Sequence, residues 1–240
     1  MDRVSLRGGE RVLDVACGTG VVARVAAERV GRAGRVAGID INAAMLGVAR
    51  ALQAAAGIGW VQGSVHSLPC AEASQDVVLC QLGLQFVPDR PAALAQMRRV
   101  LTPGGRLGVS VYGPIEHNPA TFALAQALDR HLGPDASVTK RAEHALADAA
   151  LLRMLAGDAG FTRIKIVTET RTVRFASACD YVRIQLTATP LASLLPDQPG
   201  RPGQRLVEVL SADVAAALRP HQTAGGLAFP QEAHVLVAER

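Results

Sequence analysis

The sequence predicts an α/β protein: a doubly wound, Rossmann-like, seven-stranded and mostly parallel sheet, with an antiparallel last strand and a helical cap insertion. Three observations predict it. Apolar strand-like runs alternate with amphipathic helical runs as far as Tyr112, which is the signature of strand–helix–strand units with right-handed crossovers. A glycine turn, "ACGTG", joins the first strand pattern to the first helix pattern. Beyond Tyr112 the alternation gives way to helical stretches and two long strand patterns, placed to close the sheet edge.

"RVLDVAC" (11–17) reads as the first strand and Gly20 to Val30 as the first helix, with Val21, Val25 and Ala26 near one face. "GRVAGIDI" (34–41) is a second strand, and Asn42 is placed to cap the helix that carries Met45, Leu46, Ala49 and Leu52 and stops at Gly57. "IGWVQG" (58–63) is a third strand. "DVVLCQ" (76–81) is a fourth, apolar enough to be covered on both faces. Asp89 caps a helix with Pro91 in its first turn and Leu94, Met97 and Leu101 at helical spacing; "TPGG" (102–105) ends it. "RLGVSVY" (106–112) is the fifth strand. Residues 119–133 and 142–157 read as helices, and 161–175 and 229–240 as strands. Between those strands, Pro190, Pro196, Pro199 and Pro202 mark a loop, and Leu206, Leu210 and Val214 a further helix. One domain, 1–240, is expected: a cofactor-binding core (1–112), cap and substrate segments (113–157 and 176–228) over the carboxyl ends of the strands, and sheet-closing strands (158–175 and 229–240).

Composition narrows the function. Of 240 residues 49% are hydrophobic, sufficient for a substantial core. The net charge of +4 comes from scattered arginines, with only Lys140 and Lys165 as lysines, and aromatic residues are 3%. Neither a basic stripe nor interleaved aromatics is present, so no nucleic-acid partner is expected. No apolar run reaches membrane-spanning length, and "MDRVSLRGGER" lacks an apolar signal core. Cys17, Cys70, Cys80 and Cys179 form no CxxC pair and no histidine pair has metal-ligand spacing, so no metal and a reducing, cytoplasmic setting are expected.

The glycine turn is the centre of the functional reading. In an open parallel sheet ligands sit beyond the carboxyl ends of the strands, where the strand order reverses. Gly18 and Gly20 lack a Cβ and let a ligand approach the backbone. Asp40 ends the second strand, where a carboxylate can accept two hydrogen bonds from a ribose diol. The stretch Gly18 to Ala23 also satisfies the GxGxxG/A dinucleotide pattern, so this spacing alone leaves a nicotinamide cofactor open.

Further motifs favour another nucleoside. "VLDVACGTG", "GIDIN" with Met45, and "DVVLCQLGLQFVPDRPAALAQMRRVLTPGGRLGVSVY" together resemble the class I S-adenosylmethionine-dependent methyltransferases. The resemblance is to a small-molecule branch similar to the ubiquinone/menaquinone biosynthesis C-methyltransferases, strongest over residues 8–112. It implies S-adenosylmethionine as cofactor. It also implies that Asp14 holds the glycine loop and reaches the methionine amino group, and that Ala16, Cys17, Gly18 and Gly20 line the methionine and ribose portion. Ala16 stands where many members have glycine. Asp40 would bind the ribose hydroxyls, Ile41 and Met45 would pack near adenine, and Cys80 and Gln81 would face the methionine moiety. Ser64, beside Val65, stands where the family often has an aspartate that accepts from the adenine amino group. A hydroxyl there gives no charge assistance, so weaker cofactor affinity is expected.

Methyl transfer requires an aligned nucleophile and exclusion of water, with a general base optional. Gln85 and Phe86, after the fourth strand, are the candidate substrate-bordering residues, and His117 the candidate base. The expected partner is a small, apolar or aromatic methyl acceptor, and a homodimer is compatible with the sequence. Two other readings stay open: a non-catalytic protein of the same fold that binds S-adenosylmethionine or S-adenosylhomocysteine, and a nicotinamide-dependent oxidoreductase.

Overall fold

In the computed structural model, which describes residues 2–52, 57–188, 191 and 203–240, the strand–helix alternation is realised as expected. The elements run β1 (Arg11–Val15), α1 (Val21–Val30), β2 (Arg35–Asp40), α2 (Ala43–Ala51), β3 (Ile58–Gln62), β4 (Gln75–Gln81), α3 (Arg90–Val100) and β5 (Leu101–Tyr112). There follow α4 (Pro119–Leu132), α5 (Val138–Ala142), α6 (Ala149–Asp158), β6 (Thr162–Phe175), α7 (Ala178–Ala188), α8 (Gln204–Ala217), β7 (Gln222–Thr223) and β8 (Gly226–Glu239). The expected loop prolines Pro190, Pro196, Pro199 and Pro202 lie outside the described residues.

The strand order is β3-β2-β1-β4-β5-β8-β6. β1 pairs in parallel with both β2 and β4, so the order reverses between β1 and β4. β8 is antiparallel to its neighbours. Gly105 accepts from Arg240 N–H and Glu232 from Gly113 N–H on the β5 side, and Thr168 meets His234 on the β6 side. The described sheet has eight strands rather than seven, because β7 pairs with the start of β8 through Gln222↔Leu227 and Thr223↔Gly226. Two residues carry no readable alternation, which is why the sequence pattern misses them.

Three boundaries also differ. β5 begins at Leu101, so "TPGG" lies inside the strand rather than ending a helix. Its Gly104 has φ +75°, and the β4–β5 register shifts between Gln75 and Val77, as at a bulge. The stretch 142–157 is not one helix: α5 stops at Ala142, and Asp148 caps α6 by accepting from Ala150 N–H at 2.7 Å. β8 starts at Gly226, three residues before the expected Phe229. The two caps expected from the sequence are in place. Asn42 accepts from the N–H groups of Ala44 and Met45, and Asp89 accepts from Ala92 N–H at 2.9 Å.

The chain forms two compact units, and β5, β6 and β8 pass from one into the other. The first comprises Met1–Val111, Asp148–Thr168 and His234–Arg240; the second comprises Tyr112–Ala147 and Glu169–Ala233. In the first, Val12, Val36, Val77 and Leu79 pack with Val22, Ala23, Ala26 and Val30 of α1. Leu13 and Val78, which alternate with Val12 and Val77, are equally buried, so the central strands are covered on both faces. The second unit has its own core, in which Leu124 and Leu128 of α4, Val182 and Leu186 of α7 and Leu210 and Val214 of α8 join Phe229. Among the described residues no helix is long and apolar enough to cross a membrane.

Candidate active site

The site is built at the carboxyl end of β1, where the strand order reverses. The chain leaves β1 through Ala16 at φ +56° and continues through Gly18 at φ +53° and Gly20 at φ +79°. Left-handed backbone suits glycine, and alanine at the first of these positions is strained by roughly 1–2 kcal/mol. Gly20 is required twice over. A Cβ there would lie 2.2 Å from the Trp60 ring of β3, which also covers Gly38 of β2, its partner in register. A Cβ on Gly18 would meet nothing within 4 Å, so that face of the turn is open to a ligand. Trp60, the single tryptophan, thus carries the turn from beneath. Its sequence signal was a large ring on a strand next to one containing a glycine.

Asp40 fixes the turn from the second strand. Its Oδ2 accepts from Gly18 N–H at 2.7 Å and its Oδ1 from Asn42 N–H at 2.8 Å. Each oxygen keeps a second lone pair, enough for a diol. Asp14, only 1% exposed, accepts from Ala23 N–H at the start of α1, while its Oδ2 has no protein partner. Burial, reinforced by the nearby negative charge of Asp40, pushes the Asp14 carboxyl up to about 8. A buried carboxylate with an unsatisfied oxygen is the chemistry that receives an ammonium group.

The remaining expected cofactor residues fall in the same unit. Cys17 and Cys80 are buried, and burial pushes both thiols up to about 12, so they pack as small apolar groups. A Cβ on Gly83 would sit 2.6 Å from that of Ala16, so the loops after β1 and β4 converge. Gln81 is exposed at the end of β4. Ile41 is 74% exposed, and its backbone carbonyl accepts from the Gln62 amide; Met45 is half-buried. Ser64 turns back on its own loop. Its Oγ accepts from His66 N–H at 3.2 Å and lies 3.4 Å from His66 Nδ1, while His66 Nε2 meets the Asp89 carbonyl. Val65 between them is half-buried.

Of the substrate candidates, Gln85 is 3% exposed and neither atom of its amide has a protein partner, whereas Phe86 is exposed. His117 belongs to the second unit. Its Nδ1 lies 3.0 Å from Glu232 Oε1, a histidine–carboxylate pair whose second member, distant in sequence, the sequence did not reveal. Among the described residues no cluster of histidine, cysteine and acidic side chains is suited to hold a metal ion.

Known proteins similar to this chain are methyltransferases. Residues 12–105 match a family model described as a methyltransferase domain. The chain is 36% identical to a 2-phytyl-1,4-naphthoquinone methyltransferase of Synechococcus elongatus, over 65% of this chain and 73% of that one. It is 39% identical to the protein of the same name from Thermosynechococcus vestitus, over 52% of this chain and 55% of the relative's length. Among solved structures, a phosphoethanolamine N-methyltransferase of Haemonchus contortus, in complex with S-adenosylhomocysteine, shares the fold. It has 19% identity and a TM-score of 0.62, covering all of this chain and 51% of that one. The chain belongs to the methyltransferase family, among whose members the quinone methyltransferases resemble it in sequence.

Proposed function

We propose that this protein transfers a methyl group from S-adenosylmethionine to a small apolar or aromatic molecule. The observation that carries the proposal is the pairing of the buried, half-satisfied Asp14 with Asp40 on either side of an open glycine turn. The bound cofactor supplies a methyl group on a positively charged sulfur, which is electrophilic without further activation.

What the residues do follows from their geometry. Asp14 Oδ2 would receive the methionine amino group and Asp40 the ribose hydroxyls. The N–H groups of the turn and the exposed Ile41 and half-buried Met45 line the rest. Cys80 and Gln81 border the methionine portion, and Gln85 offers a buried amide to the acceptor. His117, oriented by Glu232, has the arrangement of a general base. The quinone substrates in the names of the relatives fit an apolar acceptor. A cytoplasmic setting and a homodimer belong to the same proposal.

The competing reading is a binding protein of the same fold. The observation in its favour is Ser64, whose hydroxyl is engaged with His66 where the family often has a free carboxylate. Two measurements decide. Calorimetry with S-adenosylhomocysteine and with NAD is expected to give binding to the first alone; binding to NAD alone overturns the proposal. Methyl transfer from labelled S-adenosylmethionine to a panel of quinols, phenols and amines separates catalysis from binding.

A further inference from the structure

The first unit holds a groove that the cofactor site does not use. Its volume is about 680 Å³, and every residue that lines it belongs to that unit. Arg106, on one wall, pairs in register with Val77, and Val77 with Val12. The groove therefore stands level with the start of β1, whereas the glycine turn follows the end of that strand. Small-molecule pockets span roughly 300–1,000 Å³, and this volume falls among them.

The floor is a sheet face that is only partly covered. In β8, His234, Leu236 and Ala238 are buried, but Val235 and Val237, which alternate with them and point to the opposite face, are half-buried. Val167 of β6 is half-buried on the same groove. On that face α1 covers β1, β2 and β4. Val4, 3% exposed, fills the space over Gly108 of β5, where a Cβ would lie 2.5 Å from its methyl group. Arg106 ties the Val4 segment down, donating to the Val4 carbonyl at 3.0 Å and to both carboxylate oxygens of Glu10.

The rim is cationic. Arg3, Arg7, Arg106, Arg163 and Lys165 line the groove against one acidic residue, Glu239, an excess equal to the +4 net charge of the whole chain. Arg106 is paired with Glu10 and Arg163 with Glu239. Arg7 and Lys165 are exposed, and among the described residues no acidic side chain pairs with either.

These features select the occupant. An apolar floor favours an apolar body, and an unbalanced cationic rim favours an anion. A second copy of this chain would bring the same cations to the contact and be repelled. A nucleic-acid backbone would neutralise the rim and leave the valines in water. A membrane surface is flat and does not reach the floor of a groove. We propose that the groove binds a single-chain anionic amphiphile, a carboxylate on a long unbranched hydrocarbon chain. The chain lies on the valines of β8 and β6, and the carboxylate sits at the rim, where Arg7 and Lys165 have charge to offer. The site is separate from the cofactor turn and does not depend on methyl transfer.

The test titrates the full chain by calorimetry with decanoate, octanoate and decyltrimethylammonium, each below micelle formation. Decanoate is expected to bind about tenfold more tightly than octanoate, because each buried methylene contributes a factor of roughly three to four. Decyltrimethylammonium, the same chain with the opposite charge, is expected not to bind. K165E and R7E reverse exposed charges that have no partner to lose, so both should fold. Each is expected to weaken decanoate binding about fivefold or more and to leave S-adenosylhomocysteine binding unchanged. In 13C NMR of the valine methyl groups, decanoate is expected to shift the signals of Val235 and Val237. Equal binding of the two carboxylates, binding of the ammonium compound, undiminished binding in both variants, or unmoved Val235 and Val237 signals each overturn the assignment. Binding to phosphatidylglycerol vesicles without binding to decanoate also overturns it, in favour of a membrane surface.

Discussion

Asp14 offers the sharpest quantitative consequence of the site. Its carboxyl is pushed from 3.8 up to about 8 by burial and by Asp40. Between those values the folded chain keeps a proton that the unfolded chain has released, so stability falls as pH rises. The contribution is fully present below about pH 4 and gone above about pH 8. Over the whole span from 3.8 to about 8 the loss amounts to about 6 kcal/mol, at roughly 1.4 kcal/mol per pH unit. Ligand binding must run the other way. The methionine amino group is a cation, and the ionised Asp14 is its partner. At about pH 6 nearly all Asp14 is protonated, so binding there releases a proton. Affinity for S-adenosylhomocysteine should rise about tenfold per pH unit from about pH 6 and level off above about pH 8. Calorimetry in buffers of different ionisation enthalpy measures both the affinity and the proton released. D14N keeps an oxygen for Ala23 N–H but cannot ionise. It should unfold with little pH dependence between about pH 5 and 8, be the more stable of the two at pH 8 without ligand, and lose most of its affinity. A pH-independent affinity in the unaltered protein, or a D14N variant that binds as well, would refute the role given to Asp14.

Other consequences follow from the geometry of the turn and its supports. Gly20→Ala places a methyl group inside the Trp60 ring at a left-handed backbone position, and should cost about 2–4 kcal/mol in denaturant unfolding. Trp60 is the only tryptophan, so its fluorescence should change on titration with S-adenosylhomocysteine and the signal should disappear in W60F; an unresponsive emission would separate the ring from the ligand-bound turn. Asn42→Ala removes the acceptor for two N–H groups of α2 and should lower stability by about 1 kcal/mol; no loss would show that water replaces the cap at no penalty. The Arg106 guanidinium, held by both oxygens of Glu10 and largely shielded, should make Glu10→Gln destabilising by about 2 kcal/mol with little sensitivity to salt.

How much of this was legible in the sequence depends on the range of the interaction that decides it. Elements set by local periodicity and capping were readable: β1 through α3, the caps Asn42 and Asp89, and the strained turn at Gly18 and Gly20. So was the convergence on Asp40, because a strand end and a glycine turn after adjacent parallel strands must meet at one edge of the sheet. Where a local signal and a tertiary one compete, the local reading failed. "TPGG" reads as a helix stop and a turn, yet β4 on one side and β8 on the other draw it into β5 with a bulge. The break at 143–147 was hidden by alanines and leucines that suit a helix. Contacts between residues far apart in sequence left no trace at all. His117 and Glu232, Thr168 and His234, and the Gly113 carbonyl that fixes the tautomer of His144 are legible only once β5, β6 and β8 are in place.

The most direct measurement is a crystal structure of the protein with S-adenosylhomocysteine. The ribose hydroxyls are expected on the Asp40 carboxylate, the amino group on Asp14 Oδ2, and the sulfur over the face of the turn where Gly18 has no side chain. A nucleoside bound anywhere else in the chain, or an Asp40 turned away from its hydroxyls, would contradict the assignment of the site.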